Sequence, residues 1–365
     1  MGVRIEGVGL HPFGRFEGTT PTEMGVCAVR AALAEAGNPP FQAAFCGTAY
    51  GGVASGHKVL GALALTGMPI VDIEAGCASG GAALQLAAGA INAGQYDCAL
   101  VFGVEKMPKG IIRSSFFEPW REEAGLAATP AYFALRAQRL LREAGVTKND
   151  LAQVVVKNRR NGVHNPNAMF RSEVTADEVL ASRLVCEPLH LWMLCSPNEG
   201  AAAVVLRRGE GGVQLAAARL RSHLPGSVLG EATPLSGIDD SAIVPPSTLA
   251  VRDAYEQAGI SSRDLDVVEC QDTDAARELL AYQELELCGP GDQAKFLAEP
   301  TAVVNPSGGL LSKGEPLGAS ALGQVVELVH QLRGSAGRRQ VEGARVGLAH
   351  TVGRGANACC VIVTR

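Results

Sequence analysis

The segment from Asp72 to Gly81 carries the first candidate for chemistry, because a cysteine stands where a strand is predicted to turn into a helix. Gly76 permits a sharp turn, so Cys77 is expected in the first turn of that helix. The backbone N–H groups and the helix dipole at that end stabilise a thiolate, and they can also stabilise the oxyanion of an acyl thioester. Cys77 is therefore the candidate nucleophile, although a small residue chosen for packing at a buried turn fits the same pattern.

Two further loops offer groups that can exchange protons. Glu315 directly precedes Pro316, a residue that suits the first position of a helix, and the loop before it is rich in glycine. The carboxylate can act in catalysis or simply favour the helix dipole, and the loop lacks the spacing of a phosphate-binding P-loop. His350 stands at a predicted strand end before glycines, where an imidazole can exchange protons near neutral pH or serve as a hydrogen-bonded structural group.

A third junction between a strand and a helix places Gln271 and Asp272 in a similar setting. Gln271 can hold a water or polarise a carbonyl, whereas Asp272 or Asp274 can cap the following helix. The remaining histidines do not have the spacing of metal ligands, so the sequence predicts no metal site and no permanently bound cofactor.

These loops need a scaffold, and the chain reads as two passes of alternating strands and helices. We predict a first half over residues 1–210 and a second half over residues 211–365, with an irregular insertion at about 107–195 lying over the first sheet. The halves end alike, in Gly200-Ala-Ala-Ala-Val-Val-Leu206 and Gly355-Ala-Asn-Ala-Cys-Cys-Val-Ile-Val363, which indicates a duplicated α/β domain. In such a protein the site is expected between the halves, where strand ends and helix N-termini converge.

The composition argues against several classes of protein. The net charge of −5 does not favour a nucleic-acid partner, and the apolar stretch from Ala82 to Ile91 is too short to span a membrane. No secretory signal opens the chain, so the ten cysteines are expected to be reduced thiols in a cytoplasmic protein, most of them buried. The basic cluster of Lys157, Arg159 and Arg160 is typical of solvated surface, although a phosphate-bearing ligand can use such a cluster.

Together these segments resemble the thiolase superfamily, and in particular its sterol-carrier-protein-x or lipid-transfer-protein branch. The resemblance covers nearly the whole chain, and its strongest stretches are Gly76-Cys-Ala-Ser-Gly80, Lys157-Asn-Arg-Arg160 with Asn165-Pro166, Asn305 through Gln324, and Gly347 through Thr364. It implies two βαβαβαββ halves in five αβαβα layers, with an insertion that covers the site, and the family's nucleophilic cysteine matches Cys77. It also implies an acyl-CoA substrate, coenzyme A as co-substrate, a homodimer built through the first half, and a small zinc-ribbon/OB-fold partner subunit.

The sequence departs from the family pattern at three places. Glu315 stands where the family has the histidine of Gly-His-Pro, which helps to activate the cysteine, and an ionised carboxylate there would disfavour a thiolate and repel an oxyanion. The late Cys-x-Gly acid/base cysteine is absent, and His350 stands near that place, as the branch implies. Gln271 begins the segment where the branch has His-Asp-Cys-Phe, so neither usual position supplies a second thiol.

We therefore predict a thiolase-like acyltransferase that cleaves or forms the carbon–carbon bond of a specialised β-ketoacyl-CoA through an acyl-Cys77 intermediate. In this prediction His350 is the acid/base, Gln271 is a polar anchor, and Glu315 is a catalytic group with an altered role. Two alternatives stay open. A retro-aldol lyase acting on a β-hydroxyacyl-CoA would use Glu315 as its base, and a catalytically decayed subunit would bind acyl-CoA without turnover.

Overall fold

The computed structural model describes residues 2–110, 120, 123, 129–225, 243–353 and 357–365. The strands in these ranges are β1 (Val3–Gly14), β2 (Ala43–Gly47), β3 (Ile70–Ile73), β4 (Cys98–Lys106), β5 (Leu184–Cys186), β6 (Leu189–His190), β7 (Glu199–Arg208), β8 (Val213–Arg221), β9 (Val267–Cys270), β10 (Val303–Val304), β11 (Val346–Val352) and β12 (Ala358–Thr364). The helices are α1 (Pro21–Glu35), α2 (Ser55–Ala62), α3 (Ser79–Asn92), α4 (Thr129–Glu143), α5 (Lys148–Gly162), α6 (Ala176–Ala181), α7 (Pro246–Ala258), α8 (Ala275–Glu284), α9 (Gln293–Ala298), α10 (Gly309–Lys313) and α11 (Leu317–Arg333).

A ten-stranded sheet contains two halves of the same design. The strand order is β1-β7-β4-β2-β3 in the first half and β8-β12-β11-β9-β10 in the second. Counted from the junction, each half has two antiparallel pairings followed by two parallel pairings. The halves meet where β1 pairs with β8, at Arg4–Gln214 and Ile5–Val213. The predicted duplication of an α/β unit is therefore confirmed.

The helices form three layers around the two halves of the sheet. α1 and α2 cover the outer face of the first half, α7 covers the outer face of the second with α8 beside it, and α3 and α11 lie between the halves. α11 is buried along nearly its whole length, as expected for a helix of an inner layer. These layers confirm the predicted αβαβα arrangement. The helices α3 and α11 occupy equivalent places in the two halves, so their N-termini point to one region.

The segment between β4 and β7 contributes α4, α5, α6 and the β5–β6 hairpin, and its described helices pack mainly against the second half rather than over the first sheet. α4 and α5 both contact α8, and α5 also contacts α10. Lys157 is ion-paired with the buried carboxylate of Glu278, and the guanidinium of Arg159 lies 4.1 Å from the centre of the Phe170 ring. The expectation that this basic cluster is solvated surface is therefore wrong for Lys157 and Arg159, whose side chains hold the segment in place.

All ten cysteines are free thiols, and the buried ones are Cys46, Cys77, Cys98, Cys270, Cys359 and Cys360. Cys359 and Cys360 point to opposite faces of β12, and each fills a gap in a different apolar cluster. Within the described ranges, no helix is both long enough and apolar enough to cross a bilayer.

Two glycines let α11 approach the first half of the sheet closely. A Cβ added to Gly103 in β4 would lie 2.1 Å from the carbonyl oxygen of Gly318 in α11. We expect Gly103→Ala to lower the free energy of unfolding by about 1–3 kcal/mol, because backbone atoms must move apart in a packed interior. Urea unfolding of the purified variant measures this change.

Gly61→Ala in α2 is the matched control for Gly103→Ala. A Cβ at Gly61 would meet no atom within 4 Å, and alanine favours a helix over glycine, so this variant should be at least as stable as the wild type. Equal free energies of unfolding for the two variants would contradict the expected role of close packing at Gly103.

Candidate active site

Cys77 lies at the point where β3 leads into α3. Gly76 adopts a left-handed conformation with a φ of 59°, and the 3₁₀ turn Gly76–Ala78 runs directly into the helix. Ser79 stabilises this turn, because its hydroxyl accepts from the Ala75 N–H at 2.9 Å and donates to the Gly76 carbonyl at 2.6 Å. Cys77 is 7% exposed and lies in the turn that directly precedes the N-terminus of α3, where a helix dipole favours negative charge. This position agrees with the sequence prediction.

The start of α11 reaches Cys77 from the other half of the molecule. Leu317 packs against Cys77 in a small apolar cluster, and Ser320 Oγ lies 3.5 Å from the Cys77 carbonyl oxygen. Gly353, the residue after β11, approaches the turn before Cys77 from a third side. A Cβ added to Gly353 would lie 1.8 Å from the Ala75 carbonyl oxygen. Two equivalent helices thus begin at one place, as expected for a site between duplicated halves.

Glu315 and Gln271 form a buried polar pair beside the start of α11. Gln271 Nε2 donates to Glu315 Oε1 at 2.8 Å, and the Val352 N–H donates to Gln271 Oε1 at 2.8 Å. The amide orientation is therefore fixed from both ends. The Glu315 backbone is held as well, because its N–H donates to the Ser196 carbonyl at 2.9 Å. The structure thus brings these two predicted residues into direct contact.

A second thiol joins this pair, and sequence reasoning missed it. Cys195 donates its S–H to Glu315 Oε2, with 3.4 Å between the two atoms. Burial raises the pKa of the Cys195 thiol well above its ordinary value, and Glu315, Asp272 and Cys77 raise it further by their charges. The sequence signal was weak, because Cys195 lies in an irregular stretch before β7 without a local motif.

His350 lies apart from this cluster, and its predicted role as acid/base is corrected. Its ring is on the outer face of β11, where Nε2 lies 2.9 Å from Ser247 Oγ in α7. The next residue, Thr351, faces the inner layer instead and donates to Gln324 Oε1 at 2.7 Å. Burial, together with the charge of Arg277, lowers the pKa of His350 to about 3, so the ring is neutral near pH 7. The side chain is therefore a structural group on the far side of the sheet.

The lowered pKa of His350 makes stability depend on pH. The folded-state pKa of about 3 lies below the ordinary value of 6.5, so protonation favours the unfolded chain. The stability is fully present above about pH 6.5 and is lost as the pH falls toward 3. We expect this residue alone to remove about 2 kcal/mol from the free energy of unfolding between pH 7 and pH 5.

Urea unfolding of the wild type and of His350→Asn at both pH values measures the effect. The variant should lose less stability on acidification, whereas the exposed His57→Asn should behave like the wild type. The same pH dependence in wild type and His350→Asn would contradict the expected contribution of the buried ring.

Asp272 and Asp274 fix the loop that carries Gln271. Asp274 caps α8, as the sequence suggested for one of the two, because its carboxylate accepts from the Arg277 N–H at 3.0 Å. Asp272 instead reaches α10, where it accepts from the Leu310 N–H at 2.6 Å. Burial raises the pKa of Asp272 well above its ordinary value, and the charge of Glu278 raises it further. The loop is thus anchored on both sides.

Comparison with known proteins identifies the family. The family described as "Thiolase, N-terminal domain" matches residues 7–210, and the family described as "Thiolase C-terminal domain-like" matches residues 233–365. Sterol carrier protein 2 of Bos taurus is 33% identical to this chain, over 99% of this chain and 71% of its own length. The benzoylsuccinyl-CoA thiolase subunit BbsB of Thauera aromatica is 34% identical, over 98% of this chain and 96% of its own length.

A solved structure shares the whole fold at low sequence identity. The Ltp2-ChsH2(DUF35) aldolase has a TM-score of 0.87 with 22% identity, over 100% of this chain and 97% of that chain. The two family matches cover both halves of the duplicated sheet and both helix starts at which Cys77 and Glu315 lie. The chain therefore belongs to the thiolase family and is an acyl-CoA C-acyltransferase of that family.

Proposed function

We propose that this acyltransferase cleaves, or in the reverse direction forms, the carbon–carbon bond of a specialised β-ketoacyl-CoA through an acyl group carried on Cys77. The observation that carries the proposal is the position of Cys77 at the head of α3, where it packs with Leu317 at the start of α11. Glu315, which holds Gln271, directly precedes that helix start. A helix N-terminus stabilises a thiolate, and its N–H groups can hold the oxyanion that forms when the sulfur attacks a carbonyl.

Glu315 supplies a carboxylate beside the Cys195 thiol of the site. Cys77 must lose its proton before it attacks, and we assign Glu315 as the group that receives it. Gln271 holds the carboxylate in position, because its own amide is oriented by the Val352 N–H. This assignment gives a role to the residue that replaces the family's usual histidine.

Coenzyme A is the proposed co-substrate, and the names of the relatives support a thioester substrate. One relative is named a benzoylsuccinyl-CoA thiolase subunit, and benzoylsuccinyl-CoA is itself a β-ketoacyl-CoA. Its cleavage by coenzyme A would give benzoyl-CoA and succinyl-CoA, so these two thioesters are suitable first probes for this chain. The word "subunit" in that name, and the two proteins named in the aldolase structure, also support a proposed partner subunit of the zinc-ribbon/OB-fold kind.

Mass spectrometry of the intact enzyme tests the proposed acyl-enzyme. Incubation with benzoyl-CoA or acetyl-CoA should add one acyl group, peptide mapping should locate it on Cys77, and free coenzyme A should remove it. Cys98→Ala, which removes a buried thiol from β4, should be acylated like the wild type. Acylation of a different cysteine, or none, would overturn the proposal. Cleavage of a β-hydroxyacyl-CoA without free coenzyme A would instead support the retro-aldol alternative.

We also propose that β3 pairs with a second copy of the chain. It is the outermost strand of the first half, and Val71 on it is 44% exposed. Val71→Lys is expected to convert a dimer into monomers, because a charged side chain opposes pairing along a sheet edge. Sedimentation velocity measures the change. Val303→Lys on β10, the equivalent edge of the second half, is the matched control at 39% exposure and should leave the dimer intact. An equal effect of both substitutions would argue against β3 as the interface.

A further inference from the structure

The geometry points to Cys195 as the second reacting thiol of this site, an inference that rests on the proposed function. Its S–H group protonates the carbanion that remains on the departing acyl-CoA when the carbon–carbon bond breaks. The junction between β9 and α8 carries no thiol, because Thr273 stands between Asp272 and Asp274. Cys195 comes from a different part of the chain, the stretch that leads into β7.

The backbone holds Cys195 in place on both sides. Its N–H donates to the Thr273 carbonyl at 2.9 Å, and Pro197 forms a β-bridge with Glu315. The sulfur is therefore held at 3.4 Å from Glu315 Oε2. Part of Cys195 remains exposed, whereas Glu315 is 5% exposed and Gln271 is fully buried. The Glu315 carboxylate is thus enclosed, and Cys195 is its less buried partner.

The groups that face Cys195 keep its proton on the sulfur. Burial has the largest effect, and Glu315, Asp272 and Cys77 each make a thiolate less favourable, so the pKa of Cys195 lies well above its ordinary value. Such a thiol is a poor nucleophile near pH 7, but it readily donates a proton to a strong base such as a carbanion. Cys195 is therefore suited to donate a proton, whereas Cys77 is suited to attack a carbonyl, because the helix N-terminus favours a thiolate at Cys77.

Other groups close to the site are engaged elsewhere. The Thr351 hydroxyl donates to Gln324 Oε1 at 2.7 Å, and the His350 ring is on the outer face of β11. Within the part of the chain that the structure describes, Cys195 is the thiol in hydrogen-bond contact with Glu315. It is therefore the thiol that the Glu315 carboxylate holds at this site.

The step balances in atoms and electrons. The Cys77 thiolate attacks the β-keto carbon and forms a carbon–sulfur bond; the bond between the α and β carbons then breaks and leaves its electron pair on the α carbon. The Cys195 proton moves to that carbon, and the shortened acyl-CoA leaves. Cys195 regains a proton from water, free coenzyme A loses its thiol proton to water, and the coenzyme A sulfur attacks the acyl group on Cys77 and displaces the Cys77 thiolate. Both thiols return to their starting states, and one β-ketoacyl-CoA plus one coenzyme A has become two acyl-CoA molecules.

Deuterium exchange tests the role of Cys195 independently of the role of Cys77. Removal of an α proton from an acyl-CoA is the reverse of the protonation step, and it does not require an acyl group on Cys77. Succinyl-CoA and acetyl-CoA in D₂O are the exchange probes, and benzoyl-CoA, which has no α proton, is the probe for acylation of Cys77. We expect Cys195→Ala to keep benzoylation within about threefold of the wild type and to lower exchange by about 100-fold or more. Cys186→Ala, which removes another partly exposed thiol, is the matched control and should exchange at the wild-type rate.

The pH profile gives a readout that a merely structural role would not change. Wild-type exchange should rise with pH as the Cys195 thiolate forms, and Cys195→Ser should lose that rise because a hydroxyl does not ionise in the same range.

Three results would overturn the inference: wild-type exchange that is absent with both probes, exchange that persists in Cys195→Ala, and benzoylation that is lost together with exchange in that variant. A wild type that exchanges through Cys195 but is never acylated at Cys77 would instead defeat the proposed function.

Discussion

Cys77→Ala is expected to lower turnover of a β-ketoacyl-CoA by at least about 10⁴-fold, because the acyl group loses its carrier. Alanine keeps the Cβ and removes one buried sulfur, so the fold should survive with a loss of about 1 kcal/mol in the free energy of unfolding. The loss of β-ketoacyl-CoA upon addition of coenzyme A, followed by liquid chromatography, measures turnover, and thermal unfolding of the same preparation measures stability.

Cys98→Ala separates the loss of a nucleophile from the loss of a buried thiol. Cys98 is buried at the start of β4. Its substitution also removes one buried sulfur atom, but from a core position away from the starts of α3 and α11. This variant should keep its turnover at a similar cost in stability. More than a tenth of wild-type turnover in Cys77→Ala would contradict the acyl-enzyme mechanism.

Glu315→Ala is expected to lower kcat by about 10²–10³-fold, because the site loses its proposed proton acceptor and Gln271 Nε2 loses its partner. Glu315→Gln keeps the shape but removes the charge, so most of its loss should also appear in kcat rather than KM. Both substitutions should make Cys195 more reactive, since Glu315 raises the pKa of that thiol by its charge and by its hydrogen bond.

The alkylation of Cys195 by iodoacetamide as a function of pH measures this second effect. The midpoint of the alkylation rate should move to lower pH in both Glu315 variants. Glu327→Gln on α11 is the matched control, because it removes a buried carboxylate that is ion-paired with Arg339 at 2.9 Å and should leave both turnover and the alkylation midpoint unchanged. An unchanged midpoint in Glu315→Ala would show that the carboxylate does not govern the Cys195 thiol.

Local patterns were sufficient to predict the scaffold and the position of Cys77. The glycine turn before α3 and the strand–helix periodicity depend on residues a few positions apart, so the sequence alone indicates them. The repeated order of elements likewise predicted that α3 and α11 would begin at one place, and the layers confirm this arrangement. The same reasoning selected Glu315 and Gln271 because each stands where a strand or loop leads into a helix.

Tertiary structure alone decided which side chains meet at that place. His350 and Thr351 are neighbours, yet successive side chains of a strand point to opposite faces, so the imidazole lies against Ser247 on the outer side of β11. Cys195 contacts Glu315 because the nearby Pro197 forms a β-bridge with Glu315, which is far from both residues in the sequence. Strand register and long-range packing set these contacts, and no pattern of adjacent residues encodes either of them.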